Sequence, residues 1–205
     1  MSLLQLLFQF FFAPFIGVEL TASPEQFSYP TLTDHSYRIV QDAEGTGSCF
    51  DYSVYDDQGR VTLPREVQDE LYCNPTLTIA DSYPLLLHIG GNWNLNIYNL
   101  ATEQLTTLMT FHPDTDGLEC QFSPSDTTIA CVSVNQERYD ELTRIFILDI
   151  TPEGQLLDKR QYHHTVDYVC GASCYPQFTF LDDHTLQYQG HNAIEDPQKT
   201  HTLKF

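Results

Sequence analysis

From about residue 36 onward, the chain consists of short runs in which apolar and polar residues alternate, and Pro, Gly, Asn and Asp lie between the runs. Alternation with a period of two is typical of strands with one buried face, and the residues between the runs are those that tight turns require. The pattern therefore predicts an all-β fold. The predicted strands are SYRIVQ, CFDYSVYDD, RVTLP, TLTIAD, LLLHIGG, LNIYNLA, QLTTLMT, LECQFSP, TIACVSV, RIFILDI, LLDKRQY, QFTFLDD, TLQYQG and HTLKF.

One segment has helical spacing instead. In PREVQDELYC (64–73), Val67 and Leu71 lie four positions apart, and Pro64 suits the first position of a helix. We expect a single turn of helix there, at the surface and within a loop.

A weak repeat relates two of the predicted strand pairs. NIYNLATEQL (96–105) and FILDITPEGQL (146–156) each contain a β-rich strand, a turn and a Gln-Leu that opens the next strand. A step of about 50 residues with several strands per unit is typical of propeller blades. The strands then divide into a complete unit over 118–163, a preceding one over 77–110 and a final three-strand unit over 176–205.

These units, with the strands that precede them, predict a β-propeller-like fold of about four small blades, or a partial propeller. The last unit ends at HTLKF without a fourth strand, and an unpaired strand edge is an aggregation hazard. We therefore expect SYRIVQ (36–41) to pair with the C-terminal strand and to join the two ends of the chain as a clasp. The alternative is an open partial propeller that completes itself against another subunit.

The run FSPSDTTIACVS, followed by RIFILDIT, resembles the WD40-like repeat of bacterial periplasmic β-propellers, such as the propeller domain of the Tol-Pal system. In that family a Phe-Ser-Pro-Asp-Gly turn joins two inner strands, whereas Thr127 stands here in place of the Gly. The resemblance is good over 118–151 and fair over 77–110 and 176–205. It implies a propeller fold and leaves function open, because propellers serve as scaffolds, ligand-binding modules and enzymes.

Two cysteines flank the polar turn of this motif. If Phe122 pairs with Ile129 across an antiparallel hairpin, the same register places Cys120 directly opposite Cys131 on the same face. Directly opposed residues have Cα atoms about 4.5–5.5 Å apart, which a disulfide tolerates. We expect this bond; the alternative is a pair of buried free thiols.

The remaining four cysteines are Cys49, Cys73, Cys170 and Cys174. The last two, in CGASC, would close a tight loop and leave the first two to pair, but all three pairings stay open. Zinc binding is the rival reading, and the spacings lack a paired C-x2-C framework.

The first 23 residues differ in composition from the rest. They carry a long apolar run from Leu3 to Val18, with no basic residue before Arg38 and no acidic one before Glu19. The run is short for a membrane span, which needs about 20 apolar residues, and it suits a secretory leader. We expect a signal peptide or hydrophobic leader over 1–23 and one domain over 24–205, placed in the periplasm or secreted, without stable membrane insertion once the leader is removed. An uncleaved anchor and a buried part of the fold are the alternatives.

The formal net charge is −19. Such a charge argues against nucleic acid, whose phosphates require a basic surface, and favours cations or basic partners. The acidic stretch DTDGLE offers Asp114, Asp116 and Glu119 as oxygen ligands for calcium, although a solvated turn explains it equally. We expect no other cofactor and no structural or catalytic metal.

Catalytic motifs are missing from the sequence. It has no G-x-S-x-G nucleophile elbow and no sialidase-type S-x-D-x-G-x-T-W turn, and His163 and His164 point to opposite faces of a strand end. The single tryptophan, Trp93, lies between asparagines on a turn, either as an exposed recognition aromatic or as a cap on a blade. We therefore predict a non-catalytic binding or scaffold module with a protein partner. The alternatives are a structural subunit of a larger extracytoplasmic assembly or, third, a propeller-type hydrolase.

Overall fold

The structure, a computed structural model, describes residues 36–44, 50–72, 74, 76–112, 115–135, 142–165, 178–192 and 196–205. The described part of the chain forms four antiparallel sheets and one short helix. The first sheet contains β1 (Arg38–Glu44), β2 (Phe50–Asp56) and β3 (Gly59–Arg60), and the helix α1 (Arg65–Gln68) follows it. The second contains β4 (Thr78–Ile79), β5 (Leu85–Ile89), β6 (Asn94–Asn99) and β7 (Gln104–Thr110). The third contains β8 (Thr115–Phe122), β9 (Thr128–Asn135), β10 (Leu142–Ile150) and β11 (Leu156–Thr165), and the fourth β12 (Phe178–Asp182), β13 (Thr185–Asn192) and β14 (Asp196–Lys204).

Within every sheet, strands that are consecutive in the chain are neighbours. The predicted unit over 77–110 corresponds to the second sheet, the unit over 118–163 to the third and the three-strand unit over 176–205 to the fourth. The all-β prediction and the division into four small units are therefore confirmed.

The sheets pack face to face in chain order. One core cluster joins the first and second sheets, including Val54 and Leu86; another joins the second and third; and one joins the third and fourth, including Ile147 and Leu186. In β5, Leu87 belongs to the second of these clusters whereas Leu86 belongs to the first, because successive side chains leave a strand on opposite faces. The apolar run LLL is therefore buried from both sides, as in a blade between two other blades.

The predicted clasp between the two ends of the chain is wrong. Ile39 of β1 pairs with Val54 of β2, and β14 pairs with β13. A hairpin partner a few residues away is reached at a small loop-closure cost, whereas the clasp must close a loop of nearly the whole chain. The fourth sheet has three described strands, and the four small sheets are consistent with a partial propeller.

The single helical turn is confirmed at Arg65–Gln68. It is not purely a surface feature, because Val67 and the following Leu71 are fully buried in the cluster between the first two sheets. Among the residues described, no helix has the length and apolar content needed to cross a membrane.

Candidate functional site

The cysteine hairpin has the predicted register. Cys120 pairs with Cys131 and Phe122 with Ile129, and a disulfide joins the two cysteines, whose Cα atoms are 4.1 Å apart. Both cysteines are buried in the cluster between the second and third sheets. The bond is therefore part of the core and is not exposed for redox chemistry.

Several residues singled out in the sequence lie outside the described part of the chain: Cys49, Cys73, Cys170, Cys174, Asp114 and the whole leader. Asp116 and Glu119 belong to β8, so most of DTDGLE is strand and not turn. Partial burial raises the pKa of Glu119. Within the described ranges, the structure contains no group of three His, Cys, Asp or Glu side chains arranged to hold a metal ion.

The two adjacent histidines near the end of β11 lie where a strand was predicted. His163 is exposed, its position pairs with Arg144 of β10, and its Nε2 lies 3.2 Å from Nε2 of Gln161. His164 pairs with Thr143. The geometry around His163 is that of a surface residue.

Trp93 lies on the turn between β5 and β6, which we call the Trp93 turn (residues 90–94). Its side chain is 37% exposed and its backbone has a φ of 58°, in the left-handed region. Asn, Asp and Gly are the residues that usually occupy that region, and a bulky residue there is a strained outlier. The sequence places asparagines on both sides of this position, so the strained conformation falls on the tryptophan and not on either neighbour.

Backbone hydrogen bonds hold the Trp93 turn in this conformation. Trp93 N donates to Gly90 O at 3.0 Å, and Gly90 N donates to Asn94 O at 2.7 Å. Phe111 N, just beyond β7, donates to Trp93 O at 2.8 Å. Both polar backbone groups of the strained residue are thus satisfied, and the backbone of the turn is held in place.

A carboxylate from outside the turn supports it through a hydrogen bond, and we call this contact the brace. Glu70 follows α1, and its Oε1 accepts a hydrogen bond from Gly91 N at 3.2 Å. Its Oε2 accepts one from Asn96 Nδ2 at 3.5 Å and lies 3.2 Å from Nδ1 of His88. A Cβ at position 90 would lie 2.6 Å from Glu70 Oε1 and 2.7 Å from Asn96 Nδ2, so a larger residue there would displace both side-chain ends.

The brace continues as a polar row across the second sheet. His88 of β5 pairs with Asn96 of β6, and Thr107 Oγ1 of β7 donates to Asn96 Oδ1 at 2.8 Å. We call Glu70, His88, Asn96 and Thr107 the Glu70 network. The network lies on the face of the second sheet that is turned toward α1, among the apolar residues of the core cluster between the first and second sheets.

His88 is fully buried, and burial lowers its pKa to about 4. The Glu70 carboxylate acts in the opposite direction, because a nearby negative charge favours the imidazolium. The ring is neutral at pH 7, and within the described structure neither ring nitrogen has a hydrogen bond of good geometry. A carboxylate beside an imidazole is a common acid–base pair, but this imidazole has no access to a substrate, so the pair supports the turn.

A second set of contacts joins neighbouring sheets at other turns. The Asp126 carboxylate, on the β8–β9 turn, accepts a hydrogen bond from the backbone N–H of Ser82, on the β4–β5 turn. Asp183, on the β12–β13 turn, accepts one from Ser125 N at 2.9 Å. Each aspartate thus ties its turn to the corresponding turn of the preceding sheet. Asp126 also occupies the left-handed region, with a φ of 58°, which Asp tolerates better than most residues do.

Sequence reasoning identified Trp93 and the cysteine pair but missed Glu70, His88, Asp126 and Asp183. His88 carried a signal: it is the only polar residue in LLLHI, a run that alternation cannot leave half exposed. Glu70 carried none, since it is one of several acids in a loop segment.

Comparisons with known proteins show little sequence relationship. No family model matches the chain, and no curated protein matches it. Among solved structures, the chain is similar to an "oligogalacturonate lyase in complex with manganese", with 13% identity and a TM-score of 0.49 over 76% of this chain and 46% of that one. The chain thus spans less than half the length of that structure.

Proposed function

We propose that this protein is a non-catalytic, extracytoplasmic module that binds another protein through the Trp93 turn, on a propeller-like stack of sheets of the WD40-like periplasmic type. The observation that carries the proposal is the exposed tryptophan held in a strained backbone conformation. Such strain costs about 1–3 kcal/mol and persists only where the surroundings enforce it, which is typical of functional positions. Tryptophan is also the residue most enriched among the energetically dominant residues of protein interfaces.

The rest of the site supports recognition better than catalysis. Of the titratable pair near the turn, the Glu70 carboxylate accepts a hydrogen bond from Gly91 N, and the His88 imidazole is buried against Glu70 and sealed from solvent. The exported location rests on the leader composition and on the buried disulfide, since disulfides persist in oxidising compartments.

The alternative of a structural subunit is favoured by one observation, the fourth sheet with three described strands. A subunit that completes its propeller against another copy would be a dimer or larger in solution, whereas a binding module with a different partner would be monomeric when purified alone. Light scattering over a range of concentrations separates the two.

The test of protein binding is site-specific photo-crosslinking in extracts of the source cells. A photoreactive phenylalanine analogue replaces Asn92, next to Trp93 on the same turn, and as a control Leu157, an exposed residue of β11 in the third sheet. We expect one dominant protein adduct from position 92, reduced by Trp93→Asn and absent from position 157. Equal adducts from both positions, or an adduct that Trp93→Asn leaves unchanged, would contradict the proposal.

A further inference from the structure

The charge around the Trp93 turn restricts what it can bind. The second sheet, residues 78–110, contains no Lys or Arg, and the nearest ones in sequence are Arg65 and Arg138. Arg65 is already engaged, with its Nε 3.2 Å from Asp69 Oδ2. The Glu70 carboxylate is 28% exposed and bonded to the turn itself. The turn therefore carries no basic side chain of its own, and a carboxylate is bonded to it.

An exposed aromatic ring on a turn that binds a carboxylate suits a cation. The face of an indole attracts ammonium and guanidinium groups through its quadrupole, and tryptophan is the strongest of the aromatic side chains in this respect. The Glu70 carboxylate, bonded to Gly91 N of the turn, adds attraction, and the overall charge of −19 steers basic ligands toward the protein at low ionic strength.

We propose that the Trp93 turn binds an arginine or lysine side chain of a basic protein segment, with the indole face against the cation and Glu70 as the neighbouring anion. This inference rests on the proposed function and specifies the chemistry of the partner. The brace serves this role because it holds the backbone of the turn and the Glu70 carboxylate in place before binding, so less freedom is lost on association.

The protein provides its own probe, because Trp93 is its single tryptophan. Selective excitation of tryptophan in the full chain therefore reports on this turn alone. The ligand is a short capped peptide of alternating Gly and Arg, and the matched control is the same peptide with citrulline, which keeps the shape of arginine without its charge. We expect a saturable change in emission with the arginine peptide, weakened by added salt, and none with the citrulline peptide.

Calorimetric titration of two variants with the arginine peptide locates the binding site. Trp93→Asn removes the ring while supplying a residue that tolerates the left-handed backbone, so the turn is retained. It should weaken binding about two- to fivefold, the effect of a cation–π contact at an exposed site. Glu103→Gln removes one negative charge from the β6–β7 turn, at the opposite end of the same sheet, and should leave affinity unchanged. Affinity unchanged in Trp93→Asn, or an equal loss in both variants, would show that the attraction is general and overturn the inference.

The two proposals fail in different ways. If position 92 crosslinks to a protein through Trp93 but the arginine and citrulline peptides give the same response, the cationic inference is wrong and the binding function stands. If neither crosslinking nor peptide titration depends on Trp93, both are wrong.

Discussion

Replacing the buried His88 should make the fold less sensitive to acid. The folded-state pKa of about 4 lies below the ordinary value of 6.5, so the unfolded chain binds more protons than the folded one between these values. Stability therefore increases with pH across this window, and it is lost as pH falls from 6.5 toward 4. His88→Leu removes the titrating group and with it this contribution to the pH dependence.

The size of the effect follows from the two pKa values. Each unit of difference corresponds to about 1.4 kcal/mol, so the whole window is worth about 3 kcal/mol, and the step from pH 7 to pH 4.5 about 2 kcal/mol. The Glu70 carboxylate, 3.2 Å from Nδ1, favours the charged ring, so these are upper estimates. They remain large beside the 5–15 kcal/mol total stability of an ordinary domain.

Urea unfolding at pH 7 and pH 4.5, followed by circular dichroism, measures the difference directly. Wild type should lose about 2 kcal/mol more than His88→Leu between the two pH values. Burial raises the pKa values of Asp126 and Glu119, so their contributions to the stability of the fold increase as pH falls. Both groups are present in wild type and in His88→Leu, so their contributions cancel in the comparison. His163→Gln, on the exposed end of β11, is the matched control and should behave as wild type. An equal loss in wild type and His88→Leu would refute the reasoning.

Four further predictions concern other parts of the protein. Gly90→Ala places a Cβ against the Glu70 network and should cost about 1–3 kcal/mol in urea unfolding, whereas Gly91→Ala, with nothing within 4 Å of its Cβ, should cost less; equal costs would speak against the brace. Asp126→Ala removes a buried acceptor and should cost about 1–3 kcal/mol by thermal or urea unfolding, while Asp126→Asn keeps an acceptor and should be nearly neutral. Non-reducing peptide mapping should recover Cys120 linked to Cys131, and alkylation of both in unreduced protein would contradict the bond. Intact mass of the exported protein should show loss of about the first 23 residues, and a mature chain that begins at residue 1 would contradict cleavage.

The strands could be predicted from sequence because their signals are local. Alternation in TIACVSV and RIFILDI fixes which side chains share a face, and a single pair, Phe122 with Ile129, then fixes the register that brings the cysteines together. The same logic explains the continuous apolar run of β5, which is buried by sheets on both sides. Each of these inferences uses residues a few positions apart.

The clasp and the Glu70 network depend on contacts between distant residues, which is why one was wrongly predicted and the other was missed. Nothing local in SYRIVQ distinguishes pairing with β2 from pairing with β14, and the nearer partner wins because the shorter loop costs less entropy. Glu70 meets Gly91 and Asn96 across separations of 21 and 26 residues. Its partners become visible only once the first sheet, α1 and the second sheet are stacked.

The strained backbone at Trp93 and the hydrogen bond from Gly91 N to Glu70 lie in the same turn, and the first gives a reason for the second. A turn with glycine or asparagine at position 93 would adopt the same backbone without cost and would need no support from Glu70. The tryptophan adds that cost, and the Glu70 carboxylate offsets part of it by accepting a hydrogen bond from Gly91 N in the same turn. The cost of holding Trp93 in this conformation is thus the physical reason behind the proposal that the turn binds a partner.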